Sequence, residues 1–102
     1  IRTELNISSA QGTLILNKGK LLGGTLLTRR LAARHDKMAR AAGEGGYPLM
    51  VVQLDHMQDM APVARHWLEE NRIETLNVAG PRESKSPGIY QDAKAFLYKI
   101  LQ

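Results

Sequence analysis

Three short apolar runs alternate with three longer segments of helical pattern, and this alternation restricts the fold of the chain more than any other feature. The runs cover residues 12–17, 48–54 and 75–78. Leu49 to Val52 are apolar without interruption, which is typical of a strand covered on both faces. Strands that alternate with helices of ten or more residues favour βαβ units. The pattern therefore predicts an α/β fold with a mainly parallel sheet.

The segments that follow the three runs are predicted to be amphipathic helices. They cover about residues 25–42, 60–71 and 87–101. We expect Ser86 to be the N-cap of the last helix with Pro87 at its first position, and Asp55 or Asp59 to cap the second. The predicted inner faces are Leu27, Leu31, Met38 and Ala42 in the first helix, Met60, Ala64, Trp67 and Leu68 in the second, and Ile89, Ala93, Phe96, Leu97 and Ile100 in the third.

Composition restricts the class of protein. The chain has 102 residues, no cysteine, a net charge of +4 and no apolar run long enough to cross a bilayer. We expect a single cytoplasmic domain over residues 1–102, with no membrane partner. A sheet of three parallel strands has two unpaired edges, so either further strands precede Ile1 or a partner chain covers an edge. We therefore expect a homo-oligomer, and we interpret Leu5-Asn6-Ile7 as either a short extra strand or a connection.

Much of the positive charge lies in the first predicted helix. This basic run indicates either a patch for phosphate or nucleic acid, or the solvated face of an amphipathic helix. We favour the solvated face, because no aromatic side chain interleaves with the basic residues as a base-stacking platform requires. No nucleic-acid partner is therefore expected. The basic residues are Arg29, Arg30, Arg34, Lys37 and Arg40.

Two glycine-containing loops lie where a predicted strand leads into a helix. The first is Gly23-Gly24-Thr25 with Thr28, where glycines allow a phosphate to approach backbone N–H groups, although tight turns use the same residues for steric reasons alone. The second is Gly80-Pro81-Arg82-Glu83-Ser84. Parallel strands place such loops at one edge of the sheet, so we expect the two loops to form one anion site.

Charge supports an anion site at the second loop. Arg82 has the geometry to bind a phosphate or carboxylate with two hydrogen bonds, and Lys85 adds a second positive charge. The structural alternative is that Arg82 and Glu83 form an exposed ion pair of little energetic value, with Ser84 or Ser86 acting only as a helix cap.

Other residue types give no catalytic constellation. His35, His56 and His66 do not have the spacing of metal ligands, so no metal is predicted. His66 and Glu70 are four residues apart on a predicted helix, which favours a surface pair. No nucleophile-elbow motif surrounds any serine of the chain.

Several segments resemble the bacterial putative molybdenum carrier family. The string Leu76-Asn77-Val78-Ala79-Gly80-Pro81-Arg82-Glu83-Ser84 is the most specific of them, and the likeness runs through nearly the whole chain. The resemblance implies a Rossmann-like three-layer sandwich, similar to nucleotide-binding proteins of the lysine-decarboxylase-like group. The other segments are Arg2-Thr3 with Asn6-Ile7, Gly12-Thr13-Leu14-Ile15, Gly23-Gly24-Thr25-Leu26-Leu27-Thr28 and Pro87-Gly88-Ile89-Tyr90.

The resemblance also implies a function. It implies a carrier that binds molybdenum cofactor, or a related phosphorylated pterin or nucleotide, at the C-terminal edge of the sheet, with molybdoenzymes as partners. Backbone N–H groups around Gly23, Gly24 and Thr25 would hold the phosphate, and Arg82 and Ser84 would close the opposite side. The alternatives are a nucleotide or nucleoside-phosphate hydrolase that uses Glu83 as its acid/base group, and a structural oligomer that binds no ligand.

The chain departs from the pattern of the family, and from that of the phosphoribohydrolases related to it, at several places. Members of the family usually begin with a strand and a Gly-Gly-Gln-Thr-Gly-type phosphate loop, so this chain resembles the C-terminal part of the usual domain. Gln11 stands where the family more often has an acidic residue. Arg29 and Arg30 follow Thr28 where related phosphoribohydrolases have a glutamate, which disfavours hydrolysis.

Overall fold

A central strand organises the fold in the computed structural model, which describes residues 6–101. The strands are β1 (Gly12–Asn17), β2 (Leu49–Gln53) and β3 (Leu76–Ala79). They form one parallel sheet in the order β2-β1-β3, with Leu14 of β1 opposite Met50 of β2 and Val78 of β3. All six residues of β1 are buried, as expected for a strand with a neighbour on both sides and helices on both faces.

Three helices cover the two faces of this sheet. They are α1 (Gly23–Ala41), α2 (Ala61–Glu70) and α3 (Ile89–Ile100). α1 packs on β1 and β2, whereas α2 and α3 pack against each other on the opposite face. The predicted three-layer α/β architecture is confirmed, and its strand and helix bounds agree with the sequence prediction to within a few residues.

Each face of the sheet has a hydrophobic cluster. Leu14 and Leu16 are almost fully buried in the larger cluster, together with residues of β2, α2 and α3. Burial of each such leucine contributes roughly 1.5–3 kcal/mol to folding. The smaller cluster, on the α1 face, includes Ile7 and Tyr47. The Tyr47 hydroxyl and the Thr13 hydroxyl form a buried hydrogen bond of 2.8 Å there, so the hydroxyl that Thr13 of β1 buries on this face has a partner.

The predicted inner face of α1 is wrong. Leu27 and Met38 are 50% and 61% exposed, Ala42 lies beyond the helix and is exposed, and only Leu31 packs against a hydrophobic cluster. The buried face is instead formed by Thr25, Thr28 and Ala32. These small side chains let the helix lie close to the sheet, and the Thr28 hydroxyl donates to the Gly24 carbonyl at 2.9 Å, so its burial leaves no unpaired hydroxyl.

The predicted start of α3 is also wrong. The helix begins at Ile89, and its N-cap is Gly88, not Ser86. Gly88 has a φ of 87°, which an L side chain rarely adopts, so the chain turns into the helix two residues later than the Ser86-Pro87 signal predicts. The predicted buried stripe of this helix is confirmed at Ile89, Phe96 and Ile100.

The remaining local predictions are confirmed in part. Asp59 accepts a hydrogen bond from the Ala61 N–H at 3.0 Å and so supports the start of α2, with Pro62 in the first turn. Ala64 is buried on the inner face of that helix. Asn6 and Ile7 lie in a helical segment, which corrects the extra-strand interpretation for these two residues, while Leu5 lies outside the described residues. A search of the described residues finds no helix long and apolar enough to cross a membrane.

Substitutions at neighbouring positions test which face of α1 is buried. Ala32→Leu is expected to destabilise the protein by about 1–3 kcal/mol, because a larger side chain must fit between α1 and the sheet. Ala33→Leu makes the same change one residue away at an exposed position and is expected to change stability by less than about 0.5 kcal/mol. Urea denaturation measures both values. Equal effects of the two substitutions would contradict the observed helix face.

Candidate functional site

The carboxyl ends of β1 and β3 lie side by side because these strands pair directly. The chain leaves β1 through residues 18–22 into α1, and it leaves β3 through residues 80–88 toward α3 on the opposite face. The two loops diverge and leave between them a pocket of about 670 Å³. A pocket outside the carboxyl ends of parallel strands, where neighbouring connections go to opposite faces, is the usual ligand position in open α/β sheets.

Gly80 brings the second loop close to the first. A Cβ atom at this position would collide with the carbonyl oxygen of Leu16 in β1, so only glycine permits this approach. Pro81 follows and lines the pocket. The wall on the β3 side therefore lies directly against the end of the central strand.

The other wall is the N-terminus of α1. Its N-cap is Leu22, which provides no side-chain hydrogen bond, and the first turn contains no acidic residue. The N–H groups of Gly23 and Gly24 make no hydrogen bond within residues 6–101. Thr25 and Thr28 line the pocket from the same turn. Unpaired N–H groups at the positive end of a 19-residue helix favour an anion at this wall.

Four cationic side chains complete the lining of the pocket, namely Lys18, Lys20, Arg82 and Lys85. The side chains of Lys20, Arg82 and Lys85 make no ion pair or hydrogen bond with any described residue. Lys18 differs, because its ammonium group forms an ion pair with Asp92. No aspartate or glutamate lines the pocket among residues 6–101, so the charged side chains of this lining are all cationic.

Glu83 is part of the second loop but does not line the pocket. Its Oε2 accepts a hydrogen bond from the Gly88 N–H at 2.6 Å, and its Oε1 accepts one from the Tyr90 N–H at 3.1 Å. These two hydrogen bonds, that from Gly88 first, lower the pKa of the Glu83 carboxyl below its usual value of 4.5. Glu83 therefore satisfies free N–H groups where α3 begins, a role that the sequence had suggested for serine.

The structure brings most of the predicted site residues together. Gly23, Gly24, Thr25, Thr28, Gly80, Pro81 and Arg82 all line the one pocket. Ser84 is exposed and, like Glu83, lies outside the lining. The alternative Arg82–Glu83 ion pair does not occur among the described residues. A ligand-binding role for any of these residues remains a prediction.

Lys18, Lys20, Leu22 and Ser86 line the pocket but were not singled out as site residues. Lys18 and Lys20 flank Gly19 in the segment between β1 and α1. A signal existed in their position, because they directly follow the carboxyl end of an apolar strand. Ser86 lies in the loop before α3, lines the pocket and is not the N-cap of that helix.

The histidines contribute no metal centre to this part of the chain. No group of three or more His, Cys, Asp or Glu side chains within residues 6–101 is arranged to hold a metal ion. His35 instead packs edge-on against the ring of Tyr47, with 4.7 Å between the ring centroids. His66 and Glu70 form the predicted i,i+4 surface pair, with 2.8 Å between Nε2 and Oε2.

Comparison with known proteins gives two matches. Residues 1–101 match the model of a family described as the circularly permuted YpsA SLOG family. The chain is also similar to the crystal structure of a putative molybdenum carrier protein from Syntrophus aciditrophicus, with 34% sequence identity and a TM-score of 0.85. That alignment covers 99% of this chain and 59% of the other, so this chain spans about three-fifths of the length of that protein. No curated protein matches the chain.

These matches confirm two predictions from the sequence. The similarity to a protein of that name supports the resemblance to the molybdenum carrier family that the segment 76–84 indicated. The TM-score of 0.85 at 34% identity supports the Rossmann-like fold.

The hydrogen bonds of Glu83 predict a pH-dependent contribution to stability. Because the folded-state pKa is lowered, the contribution is present above about pH 4.5 and is lost as the pH falls through the folded-state value. Glu83→Gln is therefore expected to lower Tm at pH 7, and the difference from wild type is expected to shrink toward pH 3. Thermal unfolding at several pH values measures this difference, with Glu74→Gln, which changes an exposed side chain, as control. A difference that does not depend on pH would contradict the assigned role.

Proposed function

We propose a binding function for this chain, which belongs to the circularly permuted YpsA SLOG family: it holds a small phosphorylated ligand in the pocket between the two loops. One observation carries the proposal. The side chains of Lys20, Arg82 and Lys85 line the same pocket and have no anionic partner among the described residues. Cations brought together without counter-ions repel one another, and an anionic ligand removes that repulsion.

The chemistry of the lining fits a phosphate group. N–H groups at the start of α1 can donate to phosphate oxygens, and the Arg82 guanidinium can donate two parallel hydrogen bonds. The Thr25 hydroxyl adds a polar contact at the same wall, whereas the Thr28 hydroxyl already donates to the Gly24 carbonyl. The pocket volume of about 670 Å³ lies in the usual range for small-molecule and cofactor sites. Leu22 and Pro81 provide apolar surface for the part of a ligand beyond its phosphate.

The cargo that we propose is molybdenum cofactor, or a related phosphorylated pterin or nucleotide. The support for molybdenum is the name of the similar solved protein, a molybdenum carrier. Molybdenum cofactor is a pterin that bears a phosphate, and a phosphate is what the cationic lining suits. Since the chain spans about three-fifths of that protein, a carrier role is proposed for a protein that contains this chain. Molybdoenzymes are the acceptors such a carrier would serve.

An enzymatic function receives less support from the lining. A nucleotide hydrolase needs a carboxylate or another base within reach of the bond that it breaks. The pocket has no carboxylate in its lining within residues 6–101, and both oxygens of Glu83 accept hydrogen bonds from backbone N–H groups. We therefore propose a carrier that binds its ligand without turning it over.

Incubation with nucleoside monophosphates tests the choice between carrier and hydrolase. We expect no release of free base over hours, as measured by liquid chromatography. Turnover that Glu83→Gln abolishes would overturn the carrier proposal and favour the hydrolase.

Thermal-shift titration with inorganic phosphate, adenosine 5′-monophosphate and molybdenum cofactor tests binding itself. A ligand present at about 100 times its Kd stabilises the folded state by about 2.7 kcal/mol, which raises Tm by roughly 10 °C in a domain of this size. Arg82→Gln and Lys20→Gln are each expected to weaken binding by about tenfold, since each removes a charge-assisted contact. Added salt is expected to weaken binding further.

Lys37→Gln is the matched control for these two variants. It removes one positive charge from the exposed surface near the far end of α1, so it changes the net charge without changing the pocket. Binding is expected to stay within about twofold of wild type. If none of the three ligands raises Tm, or if Lys37→Gln weakens binding as much as Arg82→Gln does, the proposed site is wrong.

A further inference from the structure

Lys18 differs from the other cations of the pocket in having a partner. Its ammonium group forms an ion pair with the carboxylate of Asp92, and the two side chains are 26% and 48% exposed. Lys20, Arg82 and Lys85 have no such partner within residues 6–101. The positive charge available to a ligand is therefore uneven across the pocket.

Both members of this pair are held by rigid elements. Lys18 directly follows β1, where the buried Asn17 side chain donates to the Gly19 carbonyl at 2.9 Å and fixes the start of the turn. Asp92 lies in the first turn of α3, where the positive end of the helix favours a carboxylate. The pair therefore joins the first loop to the first turn of α3 beside the pocket.

A second carboxylate acts on the same ammonium group. The positive charge of Lys18 contributes to the lowered pKa of Glu83, after the two backbone hydrogen bonds of that carboxyl. Lys18 thus lies in the field of two carboxylates, Glu83 of the second loop and Asp92 of α3. An anion that approaches Lys18 meets the repulsion of Asp92 and Glu83, whereas an anion near Arg82 or Lys85 meets an unpaired cation.

We propose that Asp92 is an internal counter-ion of the pocket, which occupies Lys18 in the ligand-free protein and lowers the affinity for anions that reach it. The inference rests on the proposed function. It assigns control of binding at the same site to Asp92, which lies outside the pocket lining. A ligand phosphate must displace the Asp92 carboxylate from Lys18 or bind without that cation. When the ligand leaves, Asp92 pairs with Lys18 again, which favours release, the step that a carrier needs as much as binding.

The variant Asp92→Asn tests this inference, with inorganic pyrophosphate as the probe and calorimetric titration as the measurement. Removal of the counter-ion frees Lys18, so pyrophosphate is expected to bind about two- to fivefold more tightly, the range set by the strength of an exposed ion pair. Glu69→Gln is the matched control, because it removes one exposed negative charge at the far end of α2. It is expected to leave the affinity unchanged.

The double variant Lys18→Met/Asp92→Asn separates action through Lys18 from a general effect of charge. Relative to Lys18→Met alone, the added Asp92→Asn change is expected to alter the affinity no more than Glu69→Gln does. Thermal unfolding without ligand shows whether each variant is folded.

Three results would overturn the inference. These are equal pyrophosphate affinity in Asp92→Asn and Glu69→Gln, tighter binding from Asp92→Asn that persists without Lys18, and no pyrophosphate binding in any variant. The thermal-shift titration with phosphate, adenosine 5′-monophosphate and molybdenum cofactor decides the proposed function separately. A wild-type protein that binds one of those ligands keeps that function whatever the outcome for Asp92.

Discussion

The pairing of β3 directly with β1 is the constraint on which the rest of the structure depends. β1 is buried on both faces and hydrogen-bonded on both sides, so its ends are fixed by the core. β3 is its neighbour although β2 lies between them in the chain, and this order brings residues 80–88 next to residues 18–22. Gly80 then lets the second loop approach the Leu16 carbonyl. A different strand order would separate the two loops, and neither loop alone encloses a pocket.

Much of the fold could be predicted from the sequence because local patterns and long-range packing agree there. The uninterrupted run from Leu49 to Val52 already indicated a strand with two covered faces. α1 was harder, because its hydrophobic periodicity and its packing disagree. Leu27 and Met38 gave the apolar signal, yet the helix buries Thr25 and Ala32, whose small volumes suit a close approach to the sheet. Which face of α1 is buried depends on the distance between the helix and the sheet. The sequence of the helix alone does not specify that distance.

The loops of the candidate site could be predicted from the sequence, but the partners of its charged side chains could not. Glycine before a helix and arginine after a strand are local signals, and both loops were found from them. The roles of Lys18 and Glu83 depend on which groups the folded chain brings near them. Glu83 was paired with Arg82 or given acid/base chemistry on sequence grounds, whereas its oxygens accept hydrogen bonds from Gly88 and Tyr90. The Lys18–Asp92 pair joins residues far apart in sequence, and the Glu83 hydrogen bonds depend on the conformation of residues 83–90, so the spacing of residue types indicates neither.

The carboxylates near the pocket have partners of their own and do not line it. Asp55 accepts a hydrogen bond from the Gly19 N–H at 3.2 Å, Glu83 accepts two at the start of α3, and Asp92 pairs with Lys18. Each of these acidic groups at this edge of the sheet therefore has a backbone donor or a lysine as its partner. None of them forms an ion pair with Lys20, Arg82 or Lys85. The same contacts that fix the loops thus hold these carboxylates outside the pocket lining, so that stability of the site and affinity for an anion depend on one set of contacts.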